Sequence, residues 1–424
     1  MRKLFYLLAL VIALVSCNGK NDVAGEVEVI DIQEGVENRG HVMLSKYASE
    51  IKYTPLETSI DCMMWGDEHV KILKNGDRFY FYSEVSSAPV FCFSQSGKFI
   101  RYIGTQGRAA NEFRSRVYDF TINGENGQML IADPENNLLF YDSEGNHIRT
   151  ASLPHDLLSI GDNYTIIHKG GGEYMFTGYK KCEKNGADII KTSDDFIVHI
   201  DSCGRELERK YIGPSYGLII KKSQYRFSPC TDPTSLYDTD GIINARRADT
   251  IYTYNTEKDT LVMEYLVDYG KLQTRHEEFK LRFLPKRTGL FLNSEKFVIF
   301  SLLFTLNNFP DMNKKYMISI FLYDKESRKT IALAADPNLG LALEYCGFGV
   351  GPGAEKTGYA GFVNDLDGGA PFVPRYIKDG KMYQIMEATR FLDLAEKCSS
   401  QAMKKVASSM NEESNPVLIE VVLK

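Results

Sequence analysis

Short apolar runs alternate with turn-forming clusters along most of this chain, and the arrangement recurs. His69–Lys74, Arg78–Glu84, Pro89–Ser94 and Lys98–Gly104 are four such runs, separated by Asn75-Gly76-Asp77, Ser86–Ala88 and Gln95-Ser96-Gly97. Arg116–Ile122, Gln128–Asp133, Leu138–Asp142 and His147–Ser152 repeat the set, broken at Asn123-Gly124, Pro134–Asn137 and Ser143-Glu144-Gly145. Each break has hairpin length and turn chemistry. The segments FCFSQSG (Phe91–Gly97) and FYDSEG (Phe140–Gly145) hold the same place in the two units. Continuous apolar runs, rather than strict alternation, belong to strands covered on both faces. Recurrence of one four-strand unit at about 50 residues predicts a β-propeller.

Later units keep the grammar of the third strand: an apolar run, then Asp or Asn, then a turn. Phe196–Asp201 turns at Gly204, Ile251–Asn255 precedes a charged turn, and Ile318–Asp324 precedes Ser327. Glu206–Ile212, Leu261–Asp268 and Thr330–Ala335 follow as outer partners, and Gly361–Asn364, Lys381–Met386 and Pro416–Leu423 outline a sixth unit. Within it, Ala388–Met410 spaces Leu392, Leu394, Ala395, Cys398, Ala402 and Val406 at helical intervals. The predicted fold is all-β: a six-bladed propeller of four-stranded antiparallel blades, with one short helix near the C-terminus. A ring must join its first and last blades, because an unpaired edge invites aggregation. Glu26–Ile32, reading EVEVIDI, alternates like a strand and is expected to supply the outer strand of the last blade. The rival reading makes it an extension of the segment before it.

The N-terminus sets the address. Arg2 and Lys3 precede the apolar Leu4–Val15, which is short for a membrane span and has the form of a secretory signal. Leu14-Val15-Ser16-Cys17 resembles a bacterial lipobox, which predicts cleavage before Cys17 and lipidation of that cysteine. Residues 1–17 are therefore read as a lipoprotein signal peptide, 18–25 as a polar tether and 26–424 as the propeller. The expected location is the outer membrane, exported and held by lipid, with either the periplasmic or the surface face open. Net charge is −6 with dispersed basic residues, so nucleic acid is excluded as a partner. The seven cysteines besides Cys17 form no C-x-x-C pair, which removes the common zinc and redox spacings.

Several segments resemble a known family, the six-bladed, NHL-repeat-like propeller lipoproteins of Bacteroides-type bacteria. They are Tyr53-Thr54-Pro55-Leu56-Glu57-Thr58, Gly97–Gly104 with Gly107 and Asn111-Glu112-Phe113, and Ile131-Ala132-Asp133 with Asn136-Asn137. The resemblance is specific between about Tyr53 and Pro154. Ala109-Ala110-Asn111 departs from it, standing where the family has a Gly-Pro-Gly-like turn. Membership implies the fold and an exported, lipid-anchored address, and no established activity.

In a propeller, interblade loops and loops joining second to third strands share one face, which places Gly104–Phe113 beside Pro134–Asn137. Arg108, Asn111, Glu112, Arg114, Arg116 and Asn137 are the candidate ligand-binding residues there. The competing reading has Glu112, Arg114 and Asn137 satisfying turn backbone. Asp238-Thr239-Asp240-Gly241 and Asp365-Leu366-Asp367-Gly368 lack the third acidic position and distant Glu of a calcium loop and read as turns. Gly347–Gly361 fails as a phosphate loop, since Glu355 precedes Lys356 where glycine is required. No H-E-x-x-H occurs. The expected function is a binding module for a peptide, glycan or protein ligand of the envelope, with no cofactor and no assigned catalytic residue. The alternative is a metal-dependent lyase or hydrolase with its site in the central channel, for which Asp119 is a weak metal candidate by strand position.

Overall fold

The computed structural model describes residues 27–64, 70–153, 165–181, 189–218, 235–246, 249–276, 281–283, 286–305, 316–334 and 361–424. Cys17 and the tether lie outside the described residues, as does most of Gly347–Gly361. The chain opens with β1 (Glu28–Asp31), α1 (Ile32–Glu37) and β2 (Ala48–Pro55). Blade 1 is β3 (Val70–Asn75), β4 (Arg78–Ser83), β5 (Val90–Ser94) and β6 (Phe99–Ile103). Blade 2 is β7 (Asp119–Ile122), β8 (Met129–Ala132), β9 (Asn137–Tyr141) and β10 (His147–Ser152). Blade 3 is β11 (Ile167–Gly170), β12 (Glu173–Lys181), β13 (Ile189–Ile200) and β14 (Glu206–Leu218). Blade 4 is β15 (Ser235–Thr239), β16 (Ile242–Arg246), β17 (Thr250–Asn255) and β18 (Thr260–Asp268). The hairpin β19 (Thr274–His276) and β20 (Leu281–Phe283) leads to blade 5: β21 (Lys286–Asn293), β22 (Phe297–Thr305), β23 (Tyr316–Asp324) and β24 (Lys329–Ala332). Blade 6 combines β25 (Tyr376–Lys378), β26 (Lys381–Met386) and β27 (Val417–Leu423) with β2 from the far end of the chain.

Side chains alternate across each strand, so one strand feeds two cores. Phe79 and Phe81 of β4 pack with Tyr383, Ile385 and Leu418 of blade 6, while Tyr80 and Tyr82 pack with Phe120, Ile131 and Tyr141 of blade 2. Equivalent cores lie between blades 2 and 3, 3 and 4, 4 and 5, and 5 and 6. The six interfaces close the ring. This double burial is why the strands read as unbroken apolar runs.

The repeated serine or aspartate and glycine have a shared geometry. Asp142 Oδ1 accepts the backbone N–H of Glu144 (2.9 Å) and Asn146 (2.8 Å), and Asp201 Oδ1 accepts those of Cys203 (2.8 Å) and Arg205 (2.9 Å). Ser94 Oγ accepts from Lys98 at 3.1 Å in the same place. Such side-chain capping of a turn is what Asp and Ser supply. The glycine that follows is left-handed, with φ +81° at Gly97, +80° at Gly145 and +77° at Gly204. A Cβ at each would lie 2.4 Å from Pro55 O, 2.6 Å from Ile103 Cδ1 and 2.9 Å from Ala151 Cβ respectively. All three neighbours are on or at the end of the outer strand of the preceding blade. The glycine is thus where one blade's outer turn seats on its neighbour.

Ring closure corrects one sequence expectation. The outer strand of blade 6 is β2, antiparallel to β27 from Ala48↔Leu423 to Pro55↔Val417, rather than Glu26–Ile32. Residues 28–31 form β1, which lies parallel to β18 as a fifth strand of blade 4. Between them, α1 packs on blade 5, with Gly35 against Thr330 and Phe321. The N-terminal segment is therefore a strap across three blades. Asp324 of blade 5 fastens its end, accepting from Tyr47 Oη at 2.5 Å and Lys46 Nζ at 2.6 Å.

The helical spacing at Ala388–Met410 resolves into α2 (Ala388–Lys397) and α3 (Gln401–Ala407). They divide at Ser400, whose hydroxyl accepts from Met403 N at 3.0 Å and caps α3. Phe391, Leu394, Ala395 and Met403 join the core between blades 5 and 6. Gly361–Asn364, expected as a strand, makes only isolated bridges, Met43↔Val363 and Phe362↔Phe372.

Candidate ligand-binding face

The order of strands fixes two faces. Connections from second to third strands and from blade to blade form a loop face. First-to-second and third-to-fourth hairpins form a turn face.

On the loop face, the β6–β7 connection meets the β8–β9 turn as the sequence predicted. Asp133 is the joint: Oδ1 accepts the N–H of Glu135 and Asn137 at 2.9 Å each, while Oδ2 accepts Asn137 Nδ2 and Arg114 N, both at 2.9 Å. The loop is knitted within itself. Gly107 N donates to Phe113 O at 3.1 Å, Arg114 Nη1 donates to Gly107 O at 2.5 Å, and Glu112 Oε2 accepts from Ala109 N at 2.7 Å. A Cβ on Gly107 would lie 1.9 Å from Glu112 Oε2, so a side chain there would displace this carboxylate from the loop. The Phe113 ring is fully buried between blades 1 and 2 and anchors the loop.

These contacts sort the six candidates. Glu112, Arg114 and Asn137 hold the loop's own backbone, with Arg114 Nε a further 3.8 Å from Glu135. Arg108 and Asn111 are exposed and make no hydrogen bond with described residues. Arg116 is half-buried, its guanidinium 5.8 Å from the Tyr118 ring centroid, and its buried Nε lacks a hydrogen-bond partner among the described residues. Ser115, at φ +63°, turns the chain between Arg114 and Arg116.

A cleft of about 600 Å³ opens on the same face beside blade 6, where the β2–β3 and β26–β27 connections meet. Leu56, Glu57, Ile60, Met63, Met410 and Glu413 are among its walls. Its near wall hangs on Asn415, whose Nδ2 donates to Glu57 O (2.6 Å) and Cys62 O (2.7 Å) and whose Oδ1 accepts from Met64 N (2.9 Å). No sequence motif marks this cleft, because its two walls are some 350 residues apart in the chain, as the spacing of Asn415 and Met64 (351) records.

Among the described residues, Asp119 belongs to no group with metal-ligand spacing. It is buried at the first strand of blade 2, where Oδ1 accepts from Tyr82 Oη of blade 1 (2.6 Å) and Oδ2 accepts from Ile166 N at the start of blade 3 (2.5 Å). Burial pushes its carboxyl up to about 7, against the hydrogen bonds from Tyr82 and Ile166. The side chain ties three blades together.

Among the described residues, one group of three His, Cys, Asp or Glu has metal-ligand spacing: His199, Glu208 and Asp259, between blades 3 and 4. Two ammonium groups already occupy Asp259, with Lys169 Nζ at 2.7 Å and Lys210 Nζ in direct contact. Burial raises the Asp259 carboxyl, but these lysines outweigh it and hold the group at about 2. The charge that a cation would meet is thereby neutralised.

Both acidic loops are turns. Asp238 Oδ1 accepts from Gly241 N at 2.9 Å, and Asp367 accepts from Gly369 N (3.0 Å), Tyr53 Oη (3.1 Å) and Ser400. Asp240 reaches from blade 4 to blade 6, accepting from Asp379 N at 2.6 Å and Gly380 N at 3.2 Å, and Lys74 of blade 1 pairs with Asp379 at 2.6 Å. Three blades thus bridge the bore at the turn face. Cys62, Cys92, Cys203 and Cys398 are free thiols, and all but Cys203 are buried.

The fold is shared with a solved structure from Bacteroides fragilis NCTC 9343, a "Putative exported protein". It is 14% identical over 93% of this chain and 99% of that one, with a TM-score of 0.58. The RRP9 WD40 repeats align over 91% of this chain and 99% of theirs at 8% identity, with a TM-score of 0.37. No curated protein matches the sequence. Over residues 27–422 the chain matches, and belongs to, the family described as Domain of unknown function (DUF4934).

Proposed function

We propose that this protein is an exported, lipid-anchored binding module of the outer membrane whose loop face recognises a peptide, glycan or protein partner. The observation that carries this reading is the division of labour on the β6–β7 loop. Glu112, Arg114 and Asp133 spend their hydrogen bonds on its shape, and Arg108 and Arg116 are left to meet a ligand. A preorganised loop offering guanidinium groups suits an anionic group on the partner, because arginine binds carboxylate and phosphate through paired N–H donors. Preorganisation also lowers the ordering entropy lost on binding. The lipobox at Cys17 and the exported character of the Bacteroides fragilis neighbour support the envelope address. The catalytic alternative gains no observation, since Asp119 is committed to Tyr82 and Ile166. The test is a ligand screen against the soluble body with Cys17 removed, followed by Arg108→Ala and Arg116→Ala. Each variant is expected to weaken a discovered ligand roughly tenfold or more, as loss of a charge-assisted contact does. Unchanged affinity in both would place recognition elsewhere.

A further inference from the structure

We infer that the turn face of the ring is the membrane-proximal face, so that the loop face carrying Arg108 and Arg116 points away from the bilayer. The inference rests on the lipid anchor proposed above, and it adds a direction to it. In blade 4, β18 leaves the 3–4 hairpin at residues 256–259 and runs toward the loop face. β1 lies parallel to it, pairing Glu28↔Tyr265 through Asp31↔Asp268, so the chain enters β1 from the turn-face side.

Side-chain contacts give the same direction. The Glu28 carboxylate accepts from Tyr323 Oη at 3.0 Å and pairs with Arg328 Nε at 3.1 Å. Tyr323 is the penultimate residue of β23, and Arg328 lies in the hairpin that follows, on the turn face of blade 5. Glu28 is thereby pinned at that end of the ring. Ten residues, 18–27, separate it from Cys17, a span of about 35 Å at full extension. A leash of that reach, leaving at the turn face, holds this face toward the lipid.

Energy transfer to headgroup-labelled lipid vesicles tests this with the full, lipidated chain. Cys203 is a native exposed probe on the 3–4 hairpin of blade 3, at the turn face. Cys182, Cys230 and Cys346 are changed to serine, and a second variant adds Cys203→Ser and Ala110→Cys to move the dye to the loop face. Transfer at least twofold higher from position 203 than from position 110 is expected. Equal transfer, or higher transfer from position 110, overturns the orientation while leaving the anchor intact. A chain that stays off vesicles with Cys17 present, as Cys17→Ala does, removes the anchor and the orientation with it.

Discussion

The Tyr82 hydroxyl of blade 1 donates to the Asp119 carboxylate of blade 2 at 2.6 Å, in a site closed to solvent. With its carboxyl near 7, folded Asp119 holds its proton more tightly than the unfolded chain, where an aspartate titrates near ~3.9. Its contribution to stability is therefore full below about pH 4, declines as pH rises toward 7, and is flat above. The parent's unfolding free energy in urea should fall between pH 5 and 8 relative to Asp119→Asn, by roughly 3 kcal/mol at about 1.4 kcal/mol per pH unit over the two units below 7. Identical pH dependence in the two proteins would clear Asp119 of this role. Tyr82→Phe should cost about 1–3 kcal/mol at pH 7, because a buried carboxylate loses a donor.

Gly97 and Gly76 are both left-handed, at φ +81° and +59°, but only Gly97 abuts another blade. Gly76→Ala should cost about 1–2 kcal/mol from backbone strain alone. Gly97→Ala adds the collision with Pro55 O and should exceed it by about 1–3 kcal/mol in equilibrium urea unfolding. Equal losses would mean that the seat between blades contributes nothing.

Asp324 clasps the strap through Lys46 and Tyr47. Burial works against its charge, yet the hydrogen bonds from Lys46, Tyr47 and Ser327 win and hold the carboxyl well below the ordinary range. This contribution is present above about pH 4 and lost as pH falls through the depressed value. Asp324→Asn should therefore destabilise by about 1–3 kcal/mol at pH 7 and blunt the acid-side loss. Proteolysis near Leu44–Tyr47 should quicken in the variant. Unchanged cleavage kinetics would argue against a clasp.

Glu112→Ala should cost only about 0.5–1.5 kcal/mol of global stability, the worth of one hydrogen bond, while weakening ligand binding by loosening the loop that Ala109 N and Gly107 help to shape. Arg108→Lys should fall short of the parent in affinity if the guanidinium's paired donors matter. An Arg108→Lys variant with full affinity would reduce the contact to simple charge.

The blades were legible because their inner strands are apolar on both sides and the outer turns of the first three blades carry a Ser or Asp and a Gly; Ser94, Gly97, Asp142 and Gly145 are enough to set the period. The strap was not. Glu28–Asp31 and Ala48–Pro55 both alternate, and what decides between them is pairing with β18 and β27, more than 230 and 360 residues away respectively. The β6–β7 loop was placed correctly, yet which of its polar residues are spent could be read only from Asp133, whose four acceptor contacts follow from backbone direction. The cleft under Asn415 and the lysine-filled group at Asp259 escaped notice for a related reason: partners drawn from separate blades leave no spacing to recognise.

The pairing of β2 with β27 also sets a timetable. Pro55 is made early in synthesis, but Val417, its ladder partner, follows 362 residues later. Until then the sixth blade lacks its edge, and five sheets wait with an open seam on either side. The ring can therefore close only once residues 417–423 have been made, and a chain cut short before Val417 forfeits the closed state altogether.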